Sequence, residues 1–122
     1  IHEKIMTHGK QYAETNFHVA LNGENSGAHV VSRSIAKDDS HQKYISLVDG
    51  NNKCSGHTEC DAIIMDNGTV TAKPELNANN IDASLIHEAA IGKIAGEQLI
   101  KLMSLGLTEK EAEEKIVNGF LK

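Results

Sequence analysis

The chain has 122 residues, a formal charge of −5, four aromatic residues, one Pro and two Cys. Such a length allows one domain with a small core, here built from aliphatic side chains, and the acidic balance lacks the clustered Lys and Arg that nucleic-acid binding needs. No run of about 18 apolar residues exists, so no helical membrane span is expected, and the first residues, Ile1-His2-Glu3-Lys4, read as a fragment or a trimmed chain.

Up to about residue 80 short β-type runs alternate with polar clusters. The runs cover residues 17–21, 28–35, 44–48, 58–65 and 69–76. Between them lie Asn22-Gly23-Glu24-Asn25, Asp38-Asp39-Ser40, Asp49-Gly50-Asn51-Asn52 and Asp66-Asn67-Gly68. These residues tolerate positive φ or form Asx turns. Runs at such intervals fit a sandwich, a barrel or a parallel β-helix. Asn67-Gly68 is a type I′ hairpin signal, yet short runs with polar flanks suit solenoid corners equally well. Periodicity therefore reaches a β-rich layer and no further.

Residues 82–96 are ambiguous. Asp82 is able to cap a long helix, but Gly92 and Gly96 would each cost it about 1 kcal/mol; residues 85–91 also read as a strand. Farther on, Leu99, Ile100, Leu102 and Met103 lie among helix formers that close at Gly106, a C′ position. Thr108 and Glu111 then make a capping box opening a second helix, with Ala112, Ile116 and Val117 on its apolar stripe and an end near Gly119. Glu111 and Lys115 form an i,i+4 pair, and the two helices make an αα-hairpin.

Several motifs fail on inspection. His87-Glu88-Ala89-Ala90-Ile91 lacks the second His of a zinc-protease helix, Gly92-Lys93-Ile94 lacks the P-loop hydroxyl, and no Gly-x-Ser-x-Gly elbow occurs. Cys54 and Cys60, spaced C-x5-C, are neither a disulfide framework nor a zinc signature. His2, His8, His18, His29 and His41 fall in no ligand spacing and read as solvated or turn residues. What is left is His57, Glu59, Cys60, Asp61, His87 and Glu88. Cys, His and carboxylate together suit soft or borderline metals, or a Cys nucleophile with a His base. Against this, a buried Cys60 is simply a small hydrophobe, and His57 and Glu59 point to water.

Residues 55–121 carry a resemblance. Gly56-His57-Thr58-Glu59-Cys60-Asp61-Ala62-Ile63-Ile64-Met65 is followed by Pro74-Glu75-Leu76, His87-Glu88-Ala89-Ala90-Ile91-Gly92-Lys93, Glu97-Gln98-Leu99, Ser104-Leu105-Gly106-Leu107-Thr108-Glu109 and Ile116-Val117-Asn118-Gly119-Phe120. In order and spacing this resembles the C-terminal part of the SufB/SufD family, scaffold subunits of iron–sulfur cluster assembly. The resemblance implies a mainly β fold: a right-handed parallel β-helix over residues 1–94, then a small helical hairpin over 95–122. It turns Asn67-Gly68 into a solenoid corner and residues 85–91 into a last strand, with His87 and Glu88 on opposite faces, so that at most one shares a face with Cys60.

By the same resemblance, Cys60, Glu88 and His87 are the metal- and cluster-binding residues, the cargo is a nascent iron–sulfur cluster, and the chain has no turnover of its own. The expected partners are a SufC-like ABC ATPase docked on the helices, a second scaffold subunit (self or paralogous) in a dimer, a sulfur donor and apo-protein acceptors. The expected location is the cytoplasm. The alternative expectation is a structural solenoid module that only positions the ATPase and a partner scaffold. Full-length relatives have more coils, and Cys54 has no assigned role.

Overall fold

The computed structural model describes residues 1–122. Seven strands precede two helices: β1 (His2–Thr7), β2 (Tyr12–Leu21), β3 (Ser26–Ala36), β4 (His41–Gly50), β5 (Cys54–Ile64), β6 (Thr69–Ala78), β7 (Ala83–Lys93), α1 (Gly96–Met103) and α2 (Glu109–Leu121). Odd strands form one parallel sheet, β1-β3-β5-β7, and even strands form another, β2-β4-β6. Consecutive strands thus alternate between sheets, and the chain winds a β-solenoid of about three turns. One turn advances the sequence by 28 or 29 residues, since Ser26 pairs with Cys54 and Cys54 with Ala83.

Two elements lie outside the sequence reading. Strand β1 is unexpected, and β2 begins at Tyr12 rather than residue 17. Their inward positions are Glu3, Ile5, Thr7, Ala13 and Thr15, mostly small or polar, so the alternation that marks a half-buried strand is blurred there. Residues 83–93 resolve to a strand because β5 offers a full parallel ladder, and Gly92 costs less there than inside a helix. Asn67-Gly68 is a corner between sheets, not a hairpin. Helix α2 runs two residues past Gly119 to Leu121.

The corners explain the polar clusters. Gly9, Asp38 and Asp66 occupy successive turns of one corner with φ of 57°, 59° and 55°, the left-handed region that Gly and Asp or Asn reach most easily. Gly9 N–H donates to Asp38 Oδ2 at 2.8 Å, and Asn67 Nδ2 donates to Asp39 Oδ1 at 3.2 Å, tying each turn to the next. A Cβ on Gly68 would sit 2.3 Å from the Ala36 carbonyl oxygen, so the corner admits only glycine there. On the opposite corner Asn51 donates to Asn22 and Asn79 to Asn51, each at 2.8 Å.

Inside the solenoid one half is apolar, with Leu21, Val48 and Cys54 packed by Val19, Ala28, Leu76 and Leu85. This gives Cys54 a packing role. The other half is polar and hydrogen-bonded, as buried groups must be: Gln42 Nε2 donates to Thr7 Oγ1 and to the Ile35 carbonyl, both at 2.9 Å. Helix α2 packs on β3 and on α1, burying Ala112 and, by parity on the outer face of β3, Ile35. Its start is the expected capping box, Thr108 Oγ1 accepting from Glu111 N–H and Glu111 Oε2 from Thr108 N–H. No helix is long and apolar enough to cross a membrane.

Candidate functional site

Along β5 the burial alternates, placing Cys54, Gly56, Thr58, Cys60 and Ala62 inward and Ser55, His57, Glu59 and Asp61 outward. The parallel register carries this parity to β7: Thr58 pairs with His87, Glu59 with Glu88, and Cys60 with Ala89. His87 therefore shares the inner face with Cys60, as its diagonal neighbour. Glu88 lies on the outside. The three residues singled out by resemblance do not converge on one point within this chain.

Cys60 is 2% exposed, between Ser32 and Ala89 in the ladder. The adjoining void, lined in part by Glu3, Ser32, Tyr44 and Cys60, measures about 10 Å³. That admits roughly one water and excludes an iron–sulfur cluster from the lumen. Burial, then the charges of Asp61 and Glu3, push the thiol up to about 11. Near neutral pH the sulfur is protonated and a poor nucleophile, and a metal that binds it must displace the proton. Glu3 is held as an acceptor by Thr15 and Ser32, whose hydroxyls donate to its two oxygens at 2.7 Å each.

His87 Nδ1 shares a 2.6 Å hydrogen bond with Thr58 Oγ1, and its ring lies 6.5 Å from that of Tyr44. Burial, then the nearby His57, lowers its pKa below the usual histidine value, so the ring is neutral and able to offer a lone pair. Its Nε2 is shielded from solvent and has no hydrogen-bond partner; the Tyr44 hydroxyl is in the same condition. The lumen beside Cys60 therefore holds a thiol, an imidazole nitrogen and a phenol with unspent bonding capacity.

Outside, His57 Nε2 lies 3.5 Å from Glu88 Oε2. The ring of His29 stacks on that of His57 at 5.0 Å, and His2 meets His29 edge-on at 6.1 Å. His2, His18, His29 and His41 all sit on strands rather than in turns; only His8 stands at a turn. His18 Nε2 is 2.8 Å from Asp49 Oδ2, whose other oxygen accepts from Asn77. As the side chains stand, no three His, Cys, Asp or Glu groups enclose a metal position. Sequence reasoning missed Glu3, Tyr44 and the histidine row. The signal able to find them was the 28–29-residue period, which aligns His29 with His57 and Ser32 with Cys60.

The chain is similar to known proteins over most of its length. The family model described as SUF system FeS cluster assembly, SufBD core domain, matches residues 1–120. An iron–sulfur cluster assembly SufBD family protein of Methanothermobacter thermautotrophicus is 41% identical over 105 residues, covering 84% of this chain and 26% of that protein. One from Archaeoglobus fulgidus is 41% identical over 103 residues, covering 84% and 28%. The iron–sulfur cluster assembly protein SufB of Bacillus subtilis is 40% identical over 102 residues, covering 80% and 22%. The chain spans about a quarter of the length of these relatives.

Proposed function

The chain belongs to the SufBD family of iron–sulfur cluster assembly, and from that membership we propose that it is a portion of a scaffold that builds or holds a nascent cluster. It has no turnover of its own. Cys60 receives sulfane sulfur or ligates iron, His87 is the neutral donor beside it, and Glu88 is the hard ligand on the outer face. The observation that supports this reading is the pairing of β5 with β7: Cys60 stands opposite Ala89, with Glu88 one position and His87 two positions before it. Mixed thiolate, imidazole and carboxylate ligation suits cargo that must leave. Because the lumen is too small for a cluster, assembly takes place where Cys60 is uncovered, at the contact with a second scaffold subunit.

The unpaired outer edge of β7, last in its sheet, supports such a contact, since a free edge is a template for another strand. An ABC-type ATPase docks on the helices; α1 buries no residue, and Ile100, Met103 and Leu105 are exposed. A sulfur donor and apo-protein acceptors complete the set of partners. Two free thiols, Cys54 and Cys60, fit a reducing compartment such as the cytoplasm.

The test is anaerobic reconstitution with iron and sulfide, comparing the chain with Cys60→Ser by absorbance and iron content. A cluster in the parent that is lost in the variant is expected. Equal cluster content in both would refute the assignment of Cys60. A second reading, a module that only positions the ATPase and a partner, is favoured by the burial of Cys60 and its raised pKa. It predicts negligible cluster in both proteins.

A further inference from the structure

The outer face of the β1-β3-β5-β7 sheet carries a group of side chains that the lumenal chemistry does not use. His57 Nε2 and Glu88 Oε2 stand 3.5 Å apart. Two donors bound to one ion at about 2.1 Å, at octahedral or tetrahedral angles, lie about 3.0–3.4 Å apart. The pair is therefore spaced as neighbours in a coordination shell. It is not joined otherwise: His57 Nε2 is shielded from solvent and makes no hydrogen bond. The side chains are 39% and 61% exposed, so the pair lies at the surface of the sheet.

Charge points the same way. Glu59 stands directly across the ladder from Glu88, and like charges in that position destabilise a sheet. A divalent cation between Glu59 and Glu88 would remove the repulsion. His29 stacks on the far side of the His57 ring, which limits how the ring can turn.

We propose that His57 and Glu88 hold a ferrous ion on the outer face of this sheet, with Glu59 turning in as a third donor and water filling the remaining positions. One imidazole with two carboxylates is a donor set suited to divalent iron. With the ring proton on Nδ1, Nε2 gives its lone pair, so binding to that tautomer releases no proton and changes no oxidation state. This site deepens the scaffold reading and rests on it for the identity of the metal. It divides the cargo by chemistry: iron arrives on hard donors outside the sheet, and sulfur is held by Cys60 inside it.

The test uses ferrous iron alone, without sulfide, titrated anaerobically into the 122-residue chain against a coloured chelator. His57→Gln and Glu88→Gln are each expected to weaken binding about tenfold or more, and the double variant to be little weaker than either. His41→Gln, on the other sheet, is expected to bind as the parent does. Parent-like binding by His57→Gln, or an equal loss of binding in His41→Gln, would overturn the proposal. A second measurement needs no variant: in nuclear magnetic resonance of the unsubstituted chain, substoichiometric ferrous iron is expected to broaden the His57 ring signal before that of His87. The reverse order would overturn the site even if a variant failed to fold. Reconstitution with sulfide reads Cys60 separately, so either reading can fail while the other stands.

Discussion

The sharpest prediction concerns the reactivity of Cys60. A thiol with a pKa near 9 is roughly one-tenth thiolate at pH 8; at about 11 the fraction falls to about one-thousandth. Alkylation of folded Cys60 by iodoacetamide at pH 8 is therefore expected to be about a hundredfold slower than in the urea-unfolded chain, before steric shielding slows it further. The rate should rise about tenfold per pH unit up to about pH 10. Mass spectrometry of fragment ions separates Cys60 from Cys54. The same shift has a consequence for stability. Folded Cys60 keeps its proton while the unfolded chain loses it, so stability falls as pH rises from about 9 to 11, by at most about 2–3 kcal/mol relative to Cys60→Ser. Alkylation of the folded chain within tenfold of the unfolded rate, or a rate flat in pH, would refute burial as the control on this thiol.

Other predictions follow from the fold. Gly68→Ala places a Cβ against the Ala36 carbonyl and is expected to cost about 1–3 kcal/mol, read from urea unfolding. Thr108→Ala removes half of the capping box, costing about 1 kcal/mol, with reduced helical signal by circular dichroism. His87 has a folded pKa below its unfolded value, so its contribution is complete above about pH 6.5 and lost on acidification. Between pH 7 and 5 the melting temperature of the parent should drop more than that of His87→Gln.

Much of the fold was legible because corners announce themselves in residue type. Asp38, Asp66 and Gly68 are demanded by backbone geometry, and Thr108 with Glu111 by helix ends, all local causes. Strand β1 was hidden because its inward residues, Glu3, Ile5 and Thr7, face a lumen that accepts hydrogen-bonded polar groups. For the candidate site, the resemblance named Cys60, His87 and Glu88, and alternation alone separated His87 from Glu88. Which of them lies with Cys60 depends on whether a turn is 28 or 29 residues at that point. A change of one residue exchanges the faces, and no local signal in residues 66–82 sets that count. The contact of His57 with Glu88 depends on the same register.

The asparagine row at one corner gives the solenoid a direction. Each amide gives its proton backwards, Asn79 to Asn51 and Asn51 to Asn22, so the dipoles add head to tail and the row has two unlike ends. A duplicated turn that brings its own asparagine would slot into this series without reversing any bond. It would carry everything downstream along the axis by one strand spacing, about 4.8 Å. The fold thus works as a ruler: its length changes in fixed increments, reset by repetition rather than redesign.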